Sequence, residues 1–424
     1  MKTSIKISML MFVMGMLHGC SKDGTDVPTQ DAPTSILSLN PNNGPMGTKV
    51  TIKGRNFGTG SGEVIVFFND IEAIVESIGD SEIVAEVPVM GQTGQVHIQT
   101  MEGEIVLGPQ FTYEHTPRVS TYIGTEAYMQ SPRGIAMDAT GRMYIADKFN
   151  HRILTKGPTG PVEVFSGSTE GMMDGAIDQA KFYHPEGVAV DAEGNVYVAD
   201  SGNHRIRKIS KEGVVSTLAG GRAGDADGTG LRAQFKYPVR MVFDTMGNMY
   251  VSDAGNNRIR KVSPEGEVVT FAGSTRGTAD GVGTAAQFYN PMGITMDSQG
   301  TIYVADNENQ RIRMVTPTGI VTTLTGETED FENGPVETAR FDYPSDLVID
   351  PRGNLIIADT DNHKIRCIAP EGTVKTLAGS SAGNTDGLGE QAKFRNPYGI
   401  CVGPDGNIYV TDSGNNLVRK IIQE

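Results

Sequence analysis

Tryptophan is absent from the chain, and cysteine occurs only at positions 20, 367 and 401. Three thiols cannot build a disulfide framework or a four-thiolate zinc site. Positive charge is also scarce. Lys and Arg number 36 against 51 Asp and Glu, a formal charge of −15, and residues 1–19 hold two lysines and no acid, so the rest is more acidic still. A field of that sign repels phosphate backbones and anionic lipid, which argues against nucleic acid as a partner. Long apolar runs are missing too: the stretch Ile7 to Leu17 falls short of the ~20 residues a spanning helix needs. What the 424 residues do contain is 53 Gly and 21 Pro, the composition of an all-β chain with frequent tight turns and ample length for two or three domains.

The N-terminus reads as an address. Lys2 and Lys6 precede the apolar stretch, the order of a secretory signal. The stretch ends in Leu17-His18-Gly19-Cys20, which resembles the lipobox of bacterial lipoproteins, with His18 departing from the small residue usual there. The resemblance implies a signal peptide over 1–19, cleavage before Cys20 and diacylglycerol on its sulfur. Residues 20–33 are polar, contain Pro and lack periodicity, and so read as a flexible tether. The expected location is the cell envelope, as a surface-exposed outer-membrane lipoprotein that touches the membrane only through its lipid.

From residue 34 to 115 short β-runs alternate with Gly, Pro and Asn turns: Lys49 to Lys53, Val64 to Phe68, Gln95 to Gln99. That spacing fits an antiparallel sandwich. Pro41, Gly44, Gly47-Thr48, Val50, Ile52, Gly54-Arg55-Asn56-Phe57-Gly58, Val87-Pro88 and Phe111-Thr112-Tyr113 resemble the IPT/TIG immunoglobulin-like domain, which implies a spacer or binding module without catalytic residues.

Residues 116–424 repeat. Pro132, Pro185, Pro238, Pro291, Pro344 and Pro397 are each 53 residues apart, giving six copies of a unit with four β-runs, the pattern of propeller blades. The stretch Tyr197 to Arg207, YVADSGNHRIR, resembles the NHL repeat. The sixth copy ends after its third strand, whereas Val119 to Gly124 matches the fourth-strand sequence Val215 to Gly220. The N-terminal strand is therefore expected to close a six-bladed ring.

Residues repeated in every copy serve the ring, and unrepeated ones can serve a ligand. Asp147, Asp200, Asp253, Asp306, Asp359 and Asp412 recur, as do Asn150, Asn203, Asn256, Asn309, Asn362 and Asn415. Each Asp is expected to end the second strand and accept hydrogen bonds, and each Asn to favour a turn. His151, His204 and His363 alternate with Asn257, Gln310 and Asn416, which indicates hydrogen bonding rather than metal ligation; no metal and no cofactor is expected. The Asp-Gly pairs at 174, 227, 280 and 386, with Asn333-Gly334, read as turns, and Cys367 and Cys401 as incidental thiols. Antiparallel alternation places the Asp-x-x-Asn turn and the long connection on one face, at the channel mouth. There the copies diverge: Arg133, Glu186, Met292 and Tyr398 follow the Pro, Arg240 and Asp346 replace Gly one position later, and Tyr183, His184, Tyr237, Tyr289, Tyr343 and Arg395 precede it. These twelve are the candidate ligand-binding residues, a rim of rings and charges suited to a polar organic ligand, unless the Tyr only pack between blades.

Three function classes compete. The first is a non-catalytic lipid-anchored receptor, a monomer, for a glycan or an envelope protein. The second is an enzyme, since some NHL-like propellers are metal-dependent lyases and related propellers hydrolyse lactones. The third is a protein-protein scaffold. No catalytic constellation is recognisable, and the absence of Trp counts against a sugar ligand.

Overall fold

The computed structural model describes residues 33–58, 64–88, 93–114, 116–326 and 328–423. The expected signal peptide, Cys20 and all of the expected tether before residue 33 lie outside these residues. Two compact units divide after Glu114, one residue before the boundary expected.

The first unit is the sandwich. One sheet runs Ser35–Asn40, Lys49–Arg55, Glu82–Glu86, Ile74–Gly79, and the other Asn43–Gly44, Ile105–Tyr113, Gly94–Thr100, Val64–Phe68, Ile71–Glu72. Period-two alternation sends Val50, Ile52, Val64, Val66, Val96 and Ile98 into the shared core. Phe57 joins them, fully buried, and Gly54 makes room for it: a Cβ there would lie 2.0 Å from the Phe57 ring. The need at Gly54 is therefore space, whereas Gly58 supplies a positive φ of 88°.

The second unit is a ring of six antiparallel sheets. Blade 2 shows the plan, from channel to rim: Pro185–Val190, Val196–Asp200, Arg205–Ile209, Val214–Ala219. Blade 6 takes three strands from the C-terminus and its fourth from Pro117–Ile123, which pairs along Leu417–Gln423 with Val119 opposite Ile421 and Thr121 opposite Arg419. Val119 and Ile123 are buried in the seam. Blades 2–6 gain a fifth, two-residue strand from the preceding connection, such as Gly175–Ala176 on Val214–Val215 and Gly387–Leu388 on Arg118–Val119, which covers the outer edge.

One polar network repeats around the ring. Each second-strand Asp accepts a backbone N–H from the residue two before the inner-strand Pro of its own blade, at 2.7–2.8 Å. Its other oxygen accepts the Asn side chain and, in blades 2–6, a third-strand guanidinium at 2.6–2.9 Å, from Arg207, Arg260, Arg313, Arg366 and Arg419. These five arginines are fully buried, each with a Phe ring 5.0–5.4 Å away. Each also binds the Asp or Asn of the Asp-Gly pair, at 2.5–2.9 Å, so those pairs are turns that pin the connection to the blade. Blade 1 carries Leu154 instead of the Arg, and Arg152 reaches Asp147 from two residues away. The closure follows the same rule, since Asp386 holds Thr121 as Asp174 holds Thr217.

Each Asn sits in the tight turn expected of it, as in Ser201–Asn203, and the left-handed conformation falls to the next residue, the His/Asn/Gln position, at φ of 55–58° in all six blades. Its side chain then accepts the backbone N–H just before the next Pro, at 2.6–3.2 Å, and so stitches blade to blade. An acceptor is all this needs, which explains why His, Asn and Gln interchange.

Candidate functional site

The Pro that opens each inner strand and the Asp that closes the second strand are paired, so both stand at one end of the channel. The twelve candidate residues divide there into two sets. Arg133, Glu186, Arg240, Met292, Asp346 and Tyr398 converge in the channel. The Arg133 guanidinium lies 3.9 Å from the centre of the Tyr398 ring, and the Tyr398 hydroxyl is 3.8 Å from the Met292 sulfur. Burial, with Glu186 nearby, pushes that hydroxyl well above the usual phenol range. Arg240 and Asp346, from blades 3 and 5, form an ion pair across the channel, and Asp346 also accepts the Ile400 N–H at 2.7 Å. Gly134 and Gly293 permit this crossing: a Cβ on either would stand 2.7 Å from Arg240 Nη1 or Asp346 Oδ1. Both are buried, so the pair does not stand on an open rim, and with the inner strands it lines a cavity of about 430 Å³.

Tyr183, His184, Tyr237, Tyr289, Tyr343 and Arg395 lie further out, before the Pro. Tyr237 is half exposed with its ring edge against His204, Tyr289 lies near the Arg276 guanidinium, and Arg395 is exposed above Gly414. Tyr343 is bound through its backbone to Gln310. Packing between blades is done instead by other rings, as by Tyr197 of blade 2 on Phe243 of blade 3.

Blade 1 adds two residues that the sequence reading passed over. At the position after the repeated Asp, blades 2–6 hold Ser201, Ala254, Asn307, Thr360 and Ser413, but blade 1 holds Lys148, whose Nζ is 2.5 Å from Glu186. Next comes Phe149, half exposed, where other blades have Gly, Glu or Asp. The signal was present: one long cation and one ring in a turn otherwise built of small or acidic residues. Phe149 meets His184 edge-on at 5.4 Å, and His184 stacks on His151 at 4.9 Å and on Tyr183 at 4.3 Å. Burial first, then His151 and Lys148, pull His184 below its usual value, so the ring is neutral at pH 7. Two concavities flank this stack. One of about 460 Å³ runs from Phe149 and His151 to Glu170, and one of about 350 Å³ lies between Glu170, Met172, Tyr183 and Asn203.

Among the described residues, no group of three or more His, Cys, Asp or Glu is placed to hold a metal ion. Cys367 and Cys401 are buried, which pushes their thiols up to about 11 and about 12. Neither should react with iodoacetamide at pH 8 in the native protein, and both should react in urea; native labelling of either would contradict their burial.

Residues 33–113 match the IPT/TIG domain, and 182–209, 288–313, 341–368 and 394–421 match the NHL repeat. The chain carries an IPT/TIG domain and NHL repeats. The matched NHL segments fall in blades 2, 4, 5 and 6, and blades 1 and 3 repeat their strand order. Human NHL repeat-containing protein 2 is 30% identical over 335 residues, 68% of this chain and 46% of the relative, so the chain spans about half the length of that relative. A structural-genomics protein of Bacteroides thetaiotaomicron superposes with a TM-score of 0.58 at 20% identity, covering 94% of this chain and 99% of its own. An auxiliary nutrient binding protein of Bacteroides ovatus does so at 0.57 and 18%, covering 93% and 99%. At these identities the likeness concerns the fold.

Proposed function

We propose that the protein is a non-catalytic, lipid-anchored receptor of the cell envelope, and that the NHL propeller binds a glycan on the face that carries the channel mouth. The observation that carries this reading is the unrepeated stack of Phe149, His151, His184 and Tyr183, flanked by two shallow concavities and by the Lys148–Glu186 pair. Six equal turns cannot orient one asymmetric ligand, whereas a stack confined to blades 1 and 2 can. Aromatic faces offer stacking to sugar rings, and the charged pair offers hydrogen bonds at the edge. The name of the Bacteroides ovatus relative, an auxiliary nutrient binding protein, supports the same role, and the lipobox-like Leu17 to Cys20 supports anchoring.

The test is to screen the full chain against glycans representative of envelope and dietary polysaccharides, with membrane fractionation of Cys20→Ala in parallel. The expected result is saturable binding of an oligosaccharide and release of Cys20→Ala into the soluble fraction. Absence of any glycan binding would overturn the receptor reading, and normal anchoring of Cys20→Ala would overturn the lipidation.

A further inference from the structure

On the face opposite the mouth, the turn between inner and second strands carries an Asp in every blade: Asp138, Asp191, Asp244, Asp297 and Asp350, with Asp405 two positions later in blade 6. Its Oδ2 has a standard set of donors. An Asn side chain donates at 2.7–2.8 Å in blades 2, 3, 5 and 6, from Asn195, Asn248, Asn354 and Asn407. A cation stands nearby as well. Lys208, Lys261 and Lys420 lie 5.4–5.5 Å from the centres of the Tyr197, Tyr250 and Tyr409 rings. The lysine Nζ is 3.9 Å from Asp244 and 3.1 Å from Asp405, and in blade 5 Arg352 is 3.6 Å from Asp350. In blade 1, Arg142 takes the Asn position and Thr155 the Lys position, and the contacts to Asp138 come from Thr140 and the Arg142 backbone N–H, all at Oδ1.

Blade 4 also lacks both donors, and it alone of the two has a cavity beside the Asp. Thr301 replaces the Asn and Met314 replaces the Lys. Asp297 Oδ1 still accepts the Gln299 and Thr301 N–H groups at 2.9 Å, but Oδ2 is met only at 3.5 Å, by the Tyr303 hydroxyl, and among the described residues no cation lies within ion-pair distance. At the same place a cavity of about 600 Å³ opens between blades 4 and 5, a size typical of small-molecule sites. Its walls include Asp297, Tyr303, Met314, Leu324, Ile349 and Ile368.

We propose that this groove binds a small organic ammonium ion, which takes the position the lysine Nζ occupies in blades 2, 3 and 6. The ammonium bridges Asp297 Oδ2 and the face of Tyr303, combining a charge-assisted hydrogen bond with a cation–π contact. Its apolar body lies along Met314, Leu324 and Ile349. The two substitutions that strip Asp297 of its donors and the cavity beside it are separate observations, and one ligand accounts for both. The site lies away from the glycan face and is independent of that reading.

The probes are phenethylammonium and its uncharged counterpart 2-phenylethanol, titrated into the full chain by calorimetry or ligand-observed NMR. The ammonium should bind at least tenfold tighter. Asp297→Asn should remove that preference. Met314→Lys gives blade 4 the residue that blades 2, 3 and 6 already accommodate, so it should fold normally, fill the cation position and weaken phenethylammonium at least tenfold. Equal binding of the two probes, no binding of either, or unchanged binding by a folded Met314→Lys would each overturn the proposal.

Discussion

Arg260→Ala should lower the stability of the propeller by about 3–5 kcal/mol, the usual cost of leaving a buried charge without its partner. Arg260 is fully buried and joins four groups: Asp253, Asp227 and the carbonyls of Gln234 and Ala226. Removing it leaves the fully buried Asp253 carboxylate only the Lys236 N–H and the Asn256 side chain as donors among the described residues, and opens a void under Phe235. Asp227 is the contrasting control. Its side chain is half exposed at 51%, so water replaces part of what Asp227→Ala removes, and the cost should stay near 1 kcal/mol. The urea midpoint reads both. A cost for Arg260→Ala no greater than for Asp227→Ala would mean that the repeated guanidinium does not hold the blade.

The second large effect concerns closure. Deleting 117–123 removes the strand paired along Leu417–Gln423 and takes Val119 and Ile123 out of the seam, where both are buried. At ~1.5–3 kcal/mol for each fully buried aliphatic side chain, the loss should be about 3–6 kcal/mol before counting the unpaired edge. The milder variant Ile123→Ala should cost about 2–5 kcal/mol and keeps the chain intact if the deletion fails to fold. Hydrogen exchange along 417–423 should rise in the deletion, and unchanged protection there would show that the ring closes some other way.

Much of this architecture was legible because it is periodic. The 53-residue step, four β-runs per unit and the match of Val119–Gly124 to Val215–Gly220 sufficed for the blade count and the closing strand. Strand ends in the sandwich fell within two residues, as with Lys49 to Lys53 inside Lys49–Arg55 and Gln95 to Gln99 inside Gly94–Thr100. The channel mouth was less legible, for a physical reason: contacts across a ring join residues about a hundred positions apart, as Arg240 and Asp346 are, and no local pattern states whether two such groups stand open or paired. Both were expected on a rim and instead are buried as a pair. The Asn turn was legible, but not which residue in it takes the left-handed φ: the Asn203 amide is spent on Asp200 and the Gly171 carbonyl, and His204 bends the chain. Lys148 and Phe149 could have been found by the rule that found the others, since they too break the repeat.

The central claim is that unrepeated residues on the mouth face bind while repeated ones hold the ring, and one paired measurement tests it. The oligosaccharide selected by the screen is titrated against Phe149→Ala and Asn203→Ala, with the urea midpoint of each measured alongside. Phe149 is half exposed and contacts His184, so its loss should weaken binding about tenfold or more and leave the midpoint within error. Asn203 bridges Asp200 and Gly171, so its loss should cost about 1–2 kcal/mol of stability and leave the affinity unchanged. Binding that survives Phe149→Ala but is lost on removal of residues 33–113 would contradict the account, because the IPT/TIG domain would then be the receptor.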